Sequence, residues 1–113
     1  MKNRKYKRWH ISKSLRIVDS KSNQSLGSIR NISSKGMGII CKEPLTPDKN
    51  FNLKIVLTGD DFTEEKDIEI EARTIWCQKT ENKHYLAGLK FENLNISNEI
   101  RIKTLILRMG HSA

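Results

Sequence analysis

Apolar and polar residues alternate with a period of two through much of this chain. In DIEIEART, Ile68, Ile70 and Ala72 alternate with Glu69, Glu71 and Arg73, and in HYLAGLKF the residues Tyr85, Ala87, Leu89 and Phe91 fall on one side. That period belongs to strands with one face buried and the other wet. From Ser14 onward, runs rich in Val, Ile, Leu and Phe are broken about every ten residues by turn formers, the spacing of an antiparallel barrel or sandwich. The pattern predicts strands near residues 14–19, 25–32, 38–42, 51–57, 68–79 and 84–93. Six strands suffice to close, or nearly close, a small barrel.

Turn chemistry separates these runs. Ser20, Ser22, Asn23 and Gln24 suit the first turn, Pro44 and Pro47 stop a strand, and Gly59-Asp60-Asp61 opens an acidic loop. Gly88 lies on the face opposite Ala87 and Leu89, where it permits a bulge or the close approach of another backbone. The period changes in ISNEIRIKTLILRMG: Ile102, Leu105, Ile106 and Met109 form a helical stripe, with Ser97 as cap, Glu99 in the first turn, Arg108 in the last and Gly110 ending the helix. The stripe reads as a face packed on the barrel, with partner binding as the alternative.

The 113 residues have the length of one domain, divided into a basic arm (1–12), a barrel (13–94) and a C-terminal helix of the same domain (95–110). With 36% apolar and 30% charged residues, and no stretch approaching the roughly 20 apolar residues that cross a bilayer, the chain is expected to be soluble. His10, Lys13 and Arg16 interrupt any apolar segment that would complete a signal peptide, so a cytoplasmic location is expected. Cys41 and Cys77 stand far apart in no metal-type spacing and read as reduced thiols. The three histidines are scattered singly, so neither a metal site nor a nucleophile with its base is suggested, and an enzyme is not expected.

Charge singles out the N-terminus. Lys2, Arg4, Lys5, Lys7, Arg8, Lys13 and Arg16 all precede the first acidic residue, Asp19, and account for seven of the net eight positive charges. Such a block is either a solvated tail or an anion-binding arm. Within it stands Arg4-x-x-x-Arg8, and further on Asn31-x-Ser33-x-x-Gly36. An arginine fork can donate two parallel hydrogen bonds to guanine O6 and N7, stack on a purine and stay cationic beside phosphate. Asn31 and Ser33 would leave one face of a persisting strand while Ile32 points into the core, and Gly36, with Gly38 beyond it, bares the backbone for close approach.

Neither string is informative alone, but in this order, with a strand-rich segment between them, they resemble the signature of the PilZ-domain family, bacterial receptors for bis-(3′-5′)-cyclic dimeric GMP (cyclic di-GMP). ARTIWC followed by YLAGLKFENL is similar to the family's later strands, and the final helix also fits. The resemblance implies a mainly β fold, a six-stranded antiparallel barrel with a C-terminal α-helix, and ligand contacts from Arg4, Arg8, Asn31, Ser33 and Gly36. Lys5 and Gly38 flank these and join the candidate set. Trp76 reads as a core residue, with base stacking as the alternative, and Lys90 as a solvated lysine or a phosphate contact.

The resulting expectation is a cyclic di-GMP receptor or adaptor that orders its arm on binding ligand and signals to a protein partner of unspecified identity, with no cofactor and no specific nucleic acid. The competing readings are a PilZ-like interaction module without nucleotide and a small nucleic-acid-binding barrel. Against the last stands the small number of aromatic residues.

Overall fold

A computed structural model describes residues 7–11, 14–57 and 66–112. The strands are β1 (Trp9–Ile11), β2 (Arg16–Asp19), β3 (Ser25–Ile32), β4 (Gly36–Cys41), β5 (Asn50–Ile55), β6 (Ile68–Lys79) and β7 (Tyr85–Glu92). Helix α1 (Ile96–Met109) follows, and a short strand β8 (Gly110–Ser112) ends the chain. Neighbours run β2-β5-β6-β7-β4-β3, and β3 returns to pair with β2, so six antiparallel strands close on themselves. This is the expected fold, a six-stranded antiparallel barrel with a C-terminal helix.

Alternation explains the core. Ile17, Met37, Ile39, Leu53, Ile55, Ile68 and Leu89 point inward from five different strands and have essentially no exposed surface. Helix α1 lays Ile102, Leu105 and Met109 onto this core, with Ile106 at its margin. Its cap is Asn95 rather than Ser97: the Asn95 side chain accepts from Asn98 N–H at 2.8 Å, because it stands three residues ahead of that orphan donor. Asn98 Nδ2 then donates to Glu69 O at 2.7 Å, fastening the helix start to β6. Gly110 stops the helix as expected, with its N–H on Ile106 O, and the chain continues extended into β8.

Two strands lie outside the alternation pattern. β1 pairs with the second half of β3, Trp9 opposite Ile32 and His10 opposite Asn31, while β2 occupies the first half of that same edge. β8 pairs with the outer side of β1. The end of the basic arm is thus already part of a sheet, which three residues of mixed character (Trp9-His10-Ile11) could not announce. Lys7 Nζ sits 4.3 Å above the Trp9 ring, a cation–π contact at the entry to this strand. The Gly59-Asp60-Asp61 loop lies outside the described residues.

Candidate functional site

The string Asn31-x-Ser33-x-x-Gly36 ends in a tight turn. Ser33 N–H donates to Gly36 O at 2.8 Å, and Ser33 Oγ accepts from the N–H groups of Lys35 and Gly36 at 3.2 Å each. The strand ends at Ile32, so Ser33 does not continue the outward face of Asn31; it is buried and occupied in holding the turn. Ile32 points into the core as expected. A Cβ at Gly36 would run into the Leu89 carbonyl oxygen, so only glycine lets β4 start this close to β7.

Met37 and Ile39 point inward, so Gly36 and Gly38 face out, and by the same rule Gly88 and Lys90 face out from β7. Register then builds a row across four strands: Asn31 opposite Gly38, Gly38 opposite Gly88, Gly88 opposite Trp76. Three strand spacings make this row about 14 Å long. Atoms of the Asn31 amide lie 3.0–3.3 Å from where a Gly38 Cβ would stand, and the Trp76 indole occupies the place of a Gly88 Cβ. Both planar groups therefore lie along the sheet instead of standing away from it. The close approach foreseen at Gly88 is made by an indole, not by a backbone.

Trp76 is 45% exposed, which overturns the core reading. Ile68, Ile70, Ala72 and Thr74 point inward, and strict alternation would send Trp76 after them. The register shifts between Thr74 and Trp76, so Ile75 is the extra residue of a bulge that turns Trp76 outward. A second shift between Ile29 and Asn31 re-aims Asn31 in the same way.

A parallel row runs beside the first: Gly36 opposite Lys90, Lys90 opposite Arg73. Arg73 Nε donates to Glu92 Oε1 at 2.8 Å, with Asp48 3.6 Å away, and the hydrogen bond and charge of Glu92 hold its pKa above the ordinary value. Lys90 is exposed and in no ion pair among the described residues. The arm reaches the site from the opposite end, where Arg8 Nη1 donates to Asn31 Oδ1 at 2.9 Å. Of the predicted residues, Arg8, Asn31, Ser33, Gly36 and Gly38 thus cluster around one end of the sheet, whereas Arg4 and Lys5 lie outside the described residues. Gly88 and Arg73 were not among the candidates. The period-two placement of Gly88 opposite Ala87 and Leu89 was the signal for it; nothing local marks Arg73.

A model of the PilZ domain family matches residues 2–108. The chain belongs to the PilZ domain family. Solved structures of similar fold include the PilZ domain with c-di-GMP of YcgR from Escherichia coli, with TM-score 0.75 and 14% identity over 96% of this chain and 92% of that one. The Bacillus subtilis inhibitor of motility MotI/DgrA aligns with TM-score 0.73 and 16% identity over 96% of this chain and 51% of its own. The K. pneumonia MrkH–c-di-GMP complex aligns with TM-score 0.72 and 17% identity over 96% and 52%. The PilZ chain here thus spans about half the length of MotI/DgrA and MrkH. At these identities the likeness is one of fold. No curated protein sequence matches the chain.

Other chemistry is sparse. Among the described residues no three His, Cys, Asp or Glu side chains stand together as metal ligands, and no helix is long and apolar enough to cross a membrane. Burial, with Cys77 nearby, pushes the Cys41 thiol up to about 11, so it is an inert core thiol near neutral pH. A hollow of about 530 Å³ opens elsewhere on the barrel, lined in part by Leu26, Ile40 and His84, and shares no residue with the glycine row.

Proposed function

We propose that this PilZ domain is a receptor for cyclic di-GMP, held between the basic arm and the outer face of β3, β4, β7 and β6. The observation that carries the reading is the meeting of Arg8 with Asn31 at one end of a row whose other end is the Trp76 indole. Neighbours of the same fold are described as complexes with c-di-GMP, which supports the choice of ligand.

The chemistry of each group suits a guanine-bearing diphosphate. Arg4 and Arg8 supply guanidinium forks for guanine O6 and N7 and for phosphate oxygens. The Asn31 amide donates and accepts at a base edge, and the Gly36 and Gly38 stretch admits the ligand close to the backbone. Trp76 offers a flat face for a purine, worth about 1–3 kcal/mol per stacked base. Lys90, with Lys5 in the arm, balances phosphate charge. Ser33 contributes by holding the turn that positions Gly36.

Signalling follows from the arm. Ligand draws Arg4 and Arg8 over the glycine row, and the surface so formed is what a protein partner reads, making the domain a binding module without catalysis of its own. Titration calorimetry with cyclic di-GMP, GTP and a short RNA tests the reading. Micromolar or tighter binding of the cyclic dinucleotide is expected, with strong loss in Arg4→Ala and Arg8→Ala and little change in Lys2→Ala. Silence toward cyclic di-GMP would sink it, and a steep salt slope with RNA would favour nucleic acid instead.

A further inference from the structure

Register shifts interrupt three of the barrel's ladders, and two of them aim Trp76 and Asn31 onto the glycine row. The third lies between β2 and β3. There Ile17 faces Gly27 but Val18 faces Ser25, so Leu26 is the extra residue of a bulge. Gly27 takes φ +153°, and a Cβ on it would run into the Ile40 carbonyl oxygen, so only glycine lets β3 lie this close on β4. The hollow of about 530 Å³ opens over this bulge, and its volume is in the range of small-molecule sites.

Its surface is of two kinds. Leu26 and Ile40 are half-buried and apolar, and Leu45, whose N–H donates to Cys77 Sγ at 3.4 Å, adds a third apolar side chain. Around them stand Arg16, Lys42 and Glu43, none of which is in an ion pair among the described residues. Arg16, Ser28 and Ile40 face one another on three neighbouring strands, which roots the guanidinium about 10 Å from Ile40. β2 is held from its other side at the same point, where Arg16 O accepts from Val56 N–H at 2.9 Å. The fork therefore rises from a braced strand and not from a loop.

We propose that this hollow is a second ligand site, which takes a small organic anion with an apolar body and a single carboxylate head. Solvated cations are ordinary on a surface. Here they border a concave apolar floor, the combination in which the floor supplies affinity and a few polar groups set orientation. Two cations against the one carboxylate of Glu43 leave a single positive charge, which suits a monovalent head. Arg16 can hold both oxygens of a planar carboxylate in parallel, and Lys42 adds a point charge beside it. The hydroxyl of Ser28, between Arg16 and Ile40, offers a further donor. The site shares no residue with the glycine row, so it stands whether or not cyclic di-GMP binds.

Titration of the full, ¹⁵N-labelled chain with 1-naphthoate, followed by amide chemical shifts, tests this. Saturable shifts are expected at Gly27, Ser28, Ile40 and Lys42, with a dissociation constant of about 1 mM or below for a probe of this size. 1-Naphthamide, which keeps the rings and lacks the charge, should bind about tenfold more weakly, as should 1-naphthoate to Arg16→Gln. Glu43→Gln removes a like charge and should tighten binding. Ser28→Phe, whose ring would occupy the hollow, should abolish it, with melting as the check that each variant is folded. Inorganic phosphate, an anion without an apolar body, should shift these amides far less at equal concentration. Shifts confined to Gly36, Gly38 and Gly88, equal binding of the amide and the carboxylate, phosphate as effective as naphthoate, or an Arg16→Gln variant that binds like wild type would overturn the proposal.

Discussion

Arg8 Nη1 donates a 2.9 Å hydrogen bond to Asn31 Oδ1, joining the two halves of the motif across 23 residues. Guanidinium has five N–H donors in a rigid fork, and this contact uses one of them while the amide steadies the group. Arg8→Ala is expected to weaken cyclic di-GMP binding about tenfold to a hundredfold, as loss of a charged hydrogen bond implies. Arg8→Lys should recover little, since an ammonium cannot form two parallel bonds. A calorimetric double-mutant cycle with Asn31→Ala should show the two losses to be non-additive; strict additivity would mean that the two residues act separately.

Trp76 lies against Gly88 with almost half its surface exposed. Trp76→Ala should cost about 1–3 kcal/mol of binding, and ligand should quench tryptophan fluorescence in the wild type more than in this variant. Equal quenching in both would assign the signal to Trp9 and remove the stacking role.

Ser33 Oγ holds two backbone N–H groups of the turn. Ser33→Ala is expected to lower stability without any ligand by about 1–2 kcal/mol, so that its effect on binding arrives through the turn. An unchanged melting temperature paired with lost affinity would instead make the hydroxyl a direct ligand contact.

Thr74 is fully buried in the barrel with no partner for its hydroxyl among the described residues. Thr74→Val removes an unanswered polar group and should raise stability by about 1 kcal/mol, or roughly 4–8 °C in melting temperature. A lower melting temperature would show that the hydroxyl is satisfied in solution.

The Asp19 carboxylate accepts from the N–H groups of Ser22 and Lys21, and those bonds hold its pKa below the ordinary value. A depressed carboxylate contributes stability above its unfolded pKa of 3.8 and loses it as pH falls through the lower folded value. Chemical denaturation should therefore find Asp19→Asn less stable than wild type at neutral pH, with the gap closing only below about pH 4. A gap that persists at lower pH would detach it from the charge.

Local alternation determined most of this fold. Every barrel strand was visible because half-buried strands need a period of two, and the tail read as helix because its apolar residues repeat at 3.6. The turn at Ser33–Gly36 was legible too, since asparagine, serine and glycine at that spacing suit the end of a strand, while their part in a ligand site came only from the resemblance to a family signature.

Only the tertiary structure decided which way Trp76 faces, because one bulge at Ile75 reverses the parity that alternation assumes. Only it placed Trp9–Ile11 as a strand, since a three-residue segment has no period and takes its conformation from the free edges of β3 and β8. And only it brought Arg8 to Asn31 and Trp76 to Gly88. Those contacts belong to the register of β1 on β3 and of β6 on β7, a bulge included, which sets residues apart in the chain side by side through backbone pairing that no local pattern encodes.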